Sequence, residues 1–135
     1  GPLLGWMTDH VNLKTAFLSC KNFLPFMIEQ NSGKIINIGS KPGLGGGATL
    51  SAYSASKAAV INLTQTIAQE VQEHNINANV ILPSVIDTPA NRKAMPNANF
   101  DDWVTPGSLA KVIMFLSGDD SADISGAYIP VYGNS

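Results

Sequence analysis

Two kinds of apolar pattern alternate along the chain. Residues 7–30 carry apolar side chains at helical spacing, whereas residues 34–39 form a short, mostly apolar run that starts at Lys34 and contains Asn37. A stripe at helical spacing indicates an amphipathic helix, and a short continuous run is typical of a strand buried on both faces of a parallel sheet. The helical stripe consists of Leu13, Ala16, Phe17, Cys20, Phe23, Leu24 and Met27.

The same two patterns recur towards the carboxyl terminus. They predict helices over residues 51–73 and 106–117 and strands over residues 75–82 and 127–132. Thr105 followed by Pro106 is a helix-start signal, because a hydroxyl can cap the first turn and proline fits its first position. About three strands separated by helices predict an α/β domain with a parallel sheet, and we expect residues 1–135 to form one such domain.

Composition and net charge limit the kinds of molecule that the chain is expected to bind. Hydrophobic residues make up 44% of the chain, charged residues 13%, and the formal net charge is -2. A slightly negative net charge does not indicate a nucleic-acid-binding surface, which is usually basic, and no apolar stretch reaches the length of a membrane span. The single cysteine, Cys20, is expected to be a core residue and fits a reducing, cytoplasmic compartment. We therefore expect no nucleic-acid and no membrane partner.

Candidate chemistry is concentrated between residues 40 and 57. Ser40 follows the predicted strand 34–39, at the end where parallel sheets present their active sites. Tyr53 and Lys57 are four residues apart, so on a helix they lie on one face, one turn apart. A hydroxyl, a phenol and an ammonium would then converge, which suits proton transfer to or from a bound carbonyl or alcohol.

This arrangement resembles the active site of the short-chain dehydrogenase/reductase family, whose signature is a strand-end serine followed by Tyr-x-x-x-Lys. The sequence Tyr53-Ser-Ala-Ser-Lys57 matches it, with the family's spacing from Ser40, and the resemblance extends over residues 9–133. It implies a doubly wound, Rossmann-like parallel sheet with flanking helices. It also implies oxidoreductase chemistry, namely hydride transfer between NAD or NADP and a small-molecule carbonyl–alcohol pair.

The resemblance also implies roles for the catalytic candidates. Tyr53 would be the general acid or base, and the Lys57 ammonium would favour its phenolate and bind the nicotinamide ribose. Ser40 would hydrogen-bond the substrate oxygen, and Asn12 would hold a water that links the lysine to solvent. No metal is implied.

The loop after strand 75–82 would supply further contacts to the cofactor. Residues 89–99 would form a substrate lid. Where the family usually has Pro-Gly, this chain has Pro83-Ser84, which places a side chain where the backbone approaches the nicotinamide. The candidate contacts on this loop are Pro83, Ser84, Ile86 and Thr88.

The amino-terminal cofactor cradle of the family is not matched by these residues. Residues 43–48 fit the dinucleotide-binding pattern G-x-G-x-x-A. In that pattern the helix begins on the glycines, so that its N-terminal N–H groups bind the pyrophosphate, whereas here the next helix is predicted to begin later, near Ser51. We therefore expect a truncated family domain that is inactive, and binds dinucleotide poorly, as this isolated fragment. The alternative is a non-enzymatic, self-associating scaffold or interaction module; an upstream T-G-x-x-x-G-x-G segment would favour the enzyme.

A homodimer or larger assembly is expected on two grounds. The resemblance implies a four-helix dimer surface built from the helices around residues 12–27 and 51–73. In addition, strand 34–39 is expected to lack its neighbour, which would leave one edge with unpaired backbone groups.

Overall fold

Eight principal elements make up the described part of the protein. The computed structural model describes the backbone of residues 4–8, 13–39 and 50–135, and the side chains of residues 20–39 and 57–135. In chain order the elements are β1 (Leu4–Thr8), α1 (Leu13–Gln30), β2 (Gly33–Ile38), α2 (Leu50–Val71), β3 (Ile76–Pro83), α3 (Pro89–Ala94), α4 (Pro106–Ser117) and β4 (Tyr128–Val131).

The strands form one parallel sheet in the order β1-β2-β3-β4. The predicted α/β, Rossmann-like class is confirmed, with one strand more than the three expected. The additional strand is β1, and the helix predicted within residues 7–30 begins only at Leu13. Five residues give too short a pattern to be separated from the helical stripe that follows, so β1 is recognisable only through its partner.

The pairing of β1 corrects the expectation of an open sheet edge. Its residues run alongside β2 in parallel register, from Leu4 opposite Lys34 to Thr8 opposite Ile38. The β2 backbone on this side is therefore paired, and an exposed β2 edge is not a reason for self-association.

Both faces of the sheet are covered, which explains the continuous apolar run of β2. Ile35 packs with α1 and α2 in a core that includes Met27 and Ile67. Its neighbour Ile36 points to the other face and packs with α4. Successive side chains of a strand point to opposite faces, so a strand between two helical layers has no polar face.

Among the described side chains the predicted helical stripes are largely confirmed; the side chains of Leu13, Ala16 and Phe17 lie outside that part of the chain. In α4 the side chains of Leu109, Ile113 and Leu116 are buried, and Thr105 accepts a hydrogen bond from the Ser108 N–H at 3.1 Å. The α1 stripe differs at Phe23, whose side chain is 47% exposed. Within the described residues, no helix combines the length and the apolar character needed to cross a bilayer.

Candidate active site at the carboxyl edge of the sheet

The crossover helix α2 determines where the candidate residues can lie. It connects the parallel strands β2 and β3, so its first turn, the end of β2 and the exit of β3 lie at the same edge of the sheet. This is the edge at which open α/β sheets bind their ligands. The loop after β3 and the start of α2 therefore flank one region.

Two of the four catalytic candidates lie on α2. Tyr53 is in its first turn and Lys57 follows four residues later, a rise of about 6 Å along the helix axis. The Lys57 side chain is half-buried, and no described carboxylate lies within ion-pair distance of it. The Tyr53 side chain, Asn12 and Ser40 lie outside the described part of the chain, as do residues 43–48. The helix begins at Leu50, after these glycines.

A buried polar pair fixes α2 against β2 below this region. Asn37 and Thr64 are both fully buried, and the Asn37 Nδ2 donates to the Thr64 Oγ1 at 2.9 Å. The Thr64 hydroxyl in turn donates to the Val60 carbonyl at 2.8 Å. Because a misplaced helix would leave these groups unsatisfied, the pair favours a single rotation of α2 and thereby a single direction for its first turns.

Ser84 is accommodated inside the fold. Its side chain is fully buried, its N–H donates to the Val131 carbonyl at 3.0 Å, and its hydroxyl donates to the Tyr132 carbonyl at 2.8 Å. The Ser135 hydroxyl oxygen lies 2.7 Å from the Ser84 Oγ. The side chain that replaces the family's usual glycine is therefore held against the segment after β4, and the preceding Pro83 is buried as well.

Ile86 and Thr88 retain hydrogen-bonding capacity for a ligand. The Ile86 carbonyl accepts from the Asn91 Nδ2 at 2.8 Å, whereas its N–H has no acceptor among the described residues. The Thr88 hydroxyl caps α3 by accepting from the Asn91 N–H at 3.2 Å, so its own proton remains available to donate. Both residues are half-buried.

A cluster of Arg92, Asp87 and Phe100, which the sequence did not indicate, joins the two ends of the segment expected to be a lid. The Arg92 guanidinium makes two hydrogen bonds to the Asp87 carboxylate, at 2.6 and 2.8 Å, and lies 4.6 Å from the centroid of the Phe100 ring. The hydrogen bond and charge of Arg92 lower the pKa of Asp87 below its ordinary value. These residues are five and eight positions apart around a helix start, so no periodic pattern could have indicated them.

Among the described residues, no three His, Cys, Asp or Glu side chains lie close enough together to hold a metal ion. The carboxyl edge instead offers an amine, a backbone N–H and a hydroxyl. Donors of this kind suit the oxygen atoms of a polar organic ligand.

The chain is similar in sequence to known dehydrogenases and reductases. A family model described as short chain dehydrogenase matches residues 7–99. The chain is 35% identical over 132 residues to 3-oxoacyl-(acyl-carrier-protein) reductase of Thermotoga maritima, covering 92% of this chain and 54% of that protein. It is 39% identical over 134 residues to (3R)-3-hydroxyacyl-CoA dehydrogenase of Rattus norvegicus, covering 91% and 51%.

Solved structures agree with these relatives. The crystal structure of a 3-oxoacyl-(acyl-carrier protein) reductase with bound NAD from Brucella melitensis superposes with a TM-score of 0.73 at 28% identity, over 92% of this chain and 48% of that chain. The NAD+-bound xylitol dehydrogenase structure gives the same TM-score, 0.73, at 27% identity, over 90% and 56%. The chain thus spans about half the length of the curated relatives that it matches.

Proposed function

This chain belongs to the short-chain dehydrogenase family, and from that premise we propose that it supplies the catalytic half of an NAD- or NADP-dependent oxidoreductase acting on a small carbonyl or alcohol. The observation that carries the proposal is the position of Tyr53 and Lys57, four residues apart at the start of α2 and at the carboxyl edge of the sheet. In the family this is where the proton donor and its lysine stand.

The proton chemistry falls to this chain's own residues. Tyr53 gives a proton to the carbonyl oxygen during reduction, or takes it from the alcohol during oxidation. The Lys57 ammonium stabilises the phenolate form, since an opposite charge one turn away favours the charged state. Ser40 hydrogen-bonds the substrate oxygen and stabilises its developing charge, and Asn12 holds the water through which the lysine exchanges protons with solvent.

The loop after β3 fits a nicotinamide cofactor. The Ile86 N–H, which has no acceptor in the part of the chain that the structure describes, and the Thr88 hydroxyl proton are suitable donors for carboxamide or phosphate oxygens. The inward hydrogen bonds of Ser84 keep its hydroxyl away from such a ligand, next to Pro83. When bound, NAD or NADP supplies or accepts the hydride; these residues would hold and orient it.

Residues 1–135 alone are expected to bind dinucleotide weakly and to be inactive, because their sequence does not match the family's amino-terminal Gly-rich segment, which holds the pyrophosphate at a helix N-terminus. Titration of NADH and NADPH, followed by cofactor fluorescence and calorimetry, tests this. Micromolar affinity of the chain by itself would contradict it.

The catalytic assignment is tested in a protein that joins these residues to a Gly-rich dinucleotide-binding half. There Tyr53→Phe should lower carbonyl reductase turnover roughly a hundred- to ten-thousand-fold. The exposed Tyr128, the first residue of β4, gives the matched control, because Tyr128→Phe removes a phenol hydroxyl from a residue that is not among the site candidates. Near-normal turnover of Tyr53→Phe would contradict the assignment.

A non-enzymatic, self-associating role is the second candidate, and one observation supports the self-association that it requires. The outer surface of α1 exposes apolar side chains, with Phe26 60% and Phe23 47% exposed. Large exposed apolar side chains that lie together mark interaction surfaces. A homodimer or larger homo-oligomer formed through this surface is compatible with either function, and measured dinucleotide binding in the joined protein separates the two.

A further inference from the structure

The segment from Thr88 to Asn99 begins and ends next to the same backbone contact. We call this contact the neck; its outgoing side is residues 85–87, and its returning side is residues 100–104. The two sides of this neck are joined by an isolated parallel bridge between Ile86 and Val104. In this bridge the Val104 N–H donates to the Val85 carbonyl at 3.0 Å, and the Asp87 N–H donates to the Val104 carbonyl at 2.7 Å. These two hydrogen bonds fix where the segment begins and ends. Within the segment the backbone hydrogen bonds are local, for example from the Arg92 N–H to the Thr88 carbonyl at 2.9 Å, and do not join its two ends.

Arg92 contacts both sides of the neck. Its Nε and Nη2 each donate to one oxygen of Asp87, on the outgoing side, and its guanidinium carbon lies over the ring of Phe100, on the returning side. Phe100 in turn packs against Trp103, with ring centroids 4.8 Å apart, and Trp103 is only 8% exposed. Helix α3 is thereby connected through one guanidinium to the aromatic pair of Phe100 and the buried Trp103.

Only arginine can make both contacts at once. Its planar fork matches the two carboxylate oxygens, and the same plane stacks on an aromatic ring. A lysine could contact either Asp87 or Phe100 as a point charge, but it could not keep both geometries. The two simultaneous contacts therefore distinguish this residue from an ordinary surface cation.

The loop that Arg92 contacts carries two of the candidate ligand-binding residues, Ile86 and Thr88. Asn91, its neighbour, donates from its side chain to the Ile86 carbonyl and from its backbone to the Thr88 hydroxyl. We propose that Arg92 is a positioning residue: its contacts with Asp87 and Phe100 set the loop from Ile86 to Arg92 in its ligand-ready shape before any ligand binds. The identity of that ligand as a dinucleotide rests on the function proposed above; the positioning does not.

A loop that is ordered beforehand loses less conformational freedom on binding, which improves affinity without a new contact. Arg92 would thus act on cofactor affinity through Ile86 and Thr88 while touching no ligand itself.

Hydrogen exchange measured by mass spectrometry tests the positioning in the 135-residue chain. Arg92→Gln should raise the exchange rate of the amides in residues 88–99 roughly threefold to tenfold, the range expected for one exposed ion pair with one cation–π contact. Lys93→Gln is the matched control, because it removes the same charge from the next position of α3, where no described side chain bonds to it.

Two further variants separate geometry from charge. Arg92→Lys should recover only part of the protection, and Phe100→Leu should raise exchange while the ion pair to Asp87 remains. Equal exchange in Arg92→Gln and Lys93→Gln, or full recovery with lysine, would overturn the proposal.

A binding measurement then tests the consequence. In the protein joined to a Gly-rich half, Arg92→Gln should weaken NADH binding by a factor similar to its change in exchange, with the urea unfolding midpoint the same as for Lys93→Gln. Equal dissociation constants for these two variants would refute the positioning role. If even the unchanged protein binds no dinucleotide, the proposed function fails, and the exchange comparison alone decides the role of Arg92.

Discussion

Removing one buried hydroxyl should destabilise the protein measurably, and Thr64→Val is the variant that shows it. Valine keeps the shape of threonine but cannot accept the hydrogen bond from the Asn37 amide. Asn37 is fully buried in β2, and its Oδ1 already has no hydrogen-bond partner among the described residues. The variant would therefore remove the one side-chain hydrogen bond that the buried amide makes among the described residues.

The magnitude follows from the cost of an unsatisfied buried polar group. Loss of one partner from such a pair costs about 1–3 kcal/mol. For a domain of this size each kcal/mol lowers the melting temperature by roughly 4 °C. Asn37→Leu should cost far less, because it removes the amide altogether and leaves the Thr64 hydroxyl its bond to the Val60 carbonyl. In the Asn37→Leu background, Thr64→Val should lose most of its effect.

Urea unfolding followed by far-UV circular dichroism measures all four members of this double-mutant cycle. Thr66→Val, the same substitution at an exposed position of α2, is the control and should stay within about 0.5 kcal/mol of the unchanged chain. Equal stabilities of Thr64→Val and Thr66→Val would refute the reasoning. So would strictly additive costs in the cycle, because they would show that the Asn37–Thr64 hydrogen bond contributes nothing.

Three further predictions address other parts of the molecule. Burial raises the pKa of the Cys20 thiol to about 11, so a thiol reagent near neutral pH should label it only after unfolding; rapid labelling of the folded chain would contradict its burial. The hydrogen bond from Arg92 lowers the pKa of Asp87 below 3.8, so its stabilising contribution should persist above that pH and disappear as the pH falls through the lower folded-state value; an NMR titration that finds an ordinary pKa would contradict it. Light scattering coupled to size exclusion should find a dimer or larger species that Phe26→Gln weakens and Phe115→Gln on α4 does not; a monomeric unchanged chain at tens of micromolar, a typical concentration range for such assays, would exclude this surface.

Local pattern was sufficient for most of the secondary structure and for the fold class. The α4 helix starts at Pro106, as its Thr105 cap signal predicts, and β2 lies within one residue of the predicted strand. Such features are readable because helical period, capping and apolar runs involve residues that are close in the chain. The Tyr53–Lys57 spacing belongs to the same class, since four residues on a helix lie on one face wherever the helix packs.

Tertiary structure decided the features that join distant residues. The strand β1 is defined by pairing with residues of β2 thirty positions further along the chain, and this pairing closed an edge expected to be open. The Asn37–Thr64 bond spans 27 positions, and Ser84 bonds to the segment after β4. A hydroxyl or an amide has the same local signature whether it faces solvent or a partner, so only the folded arrangement determines which group each one meets.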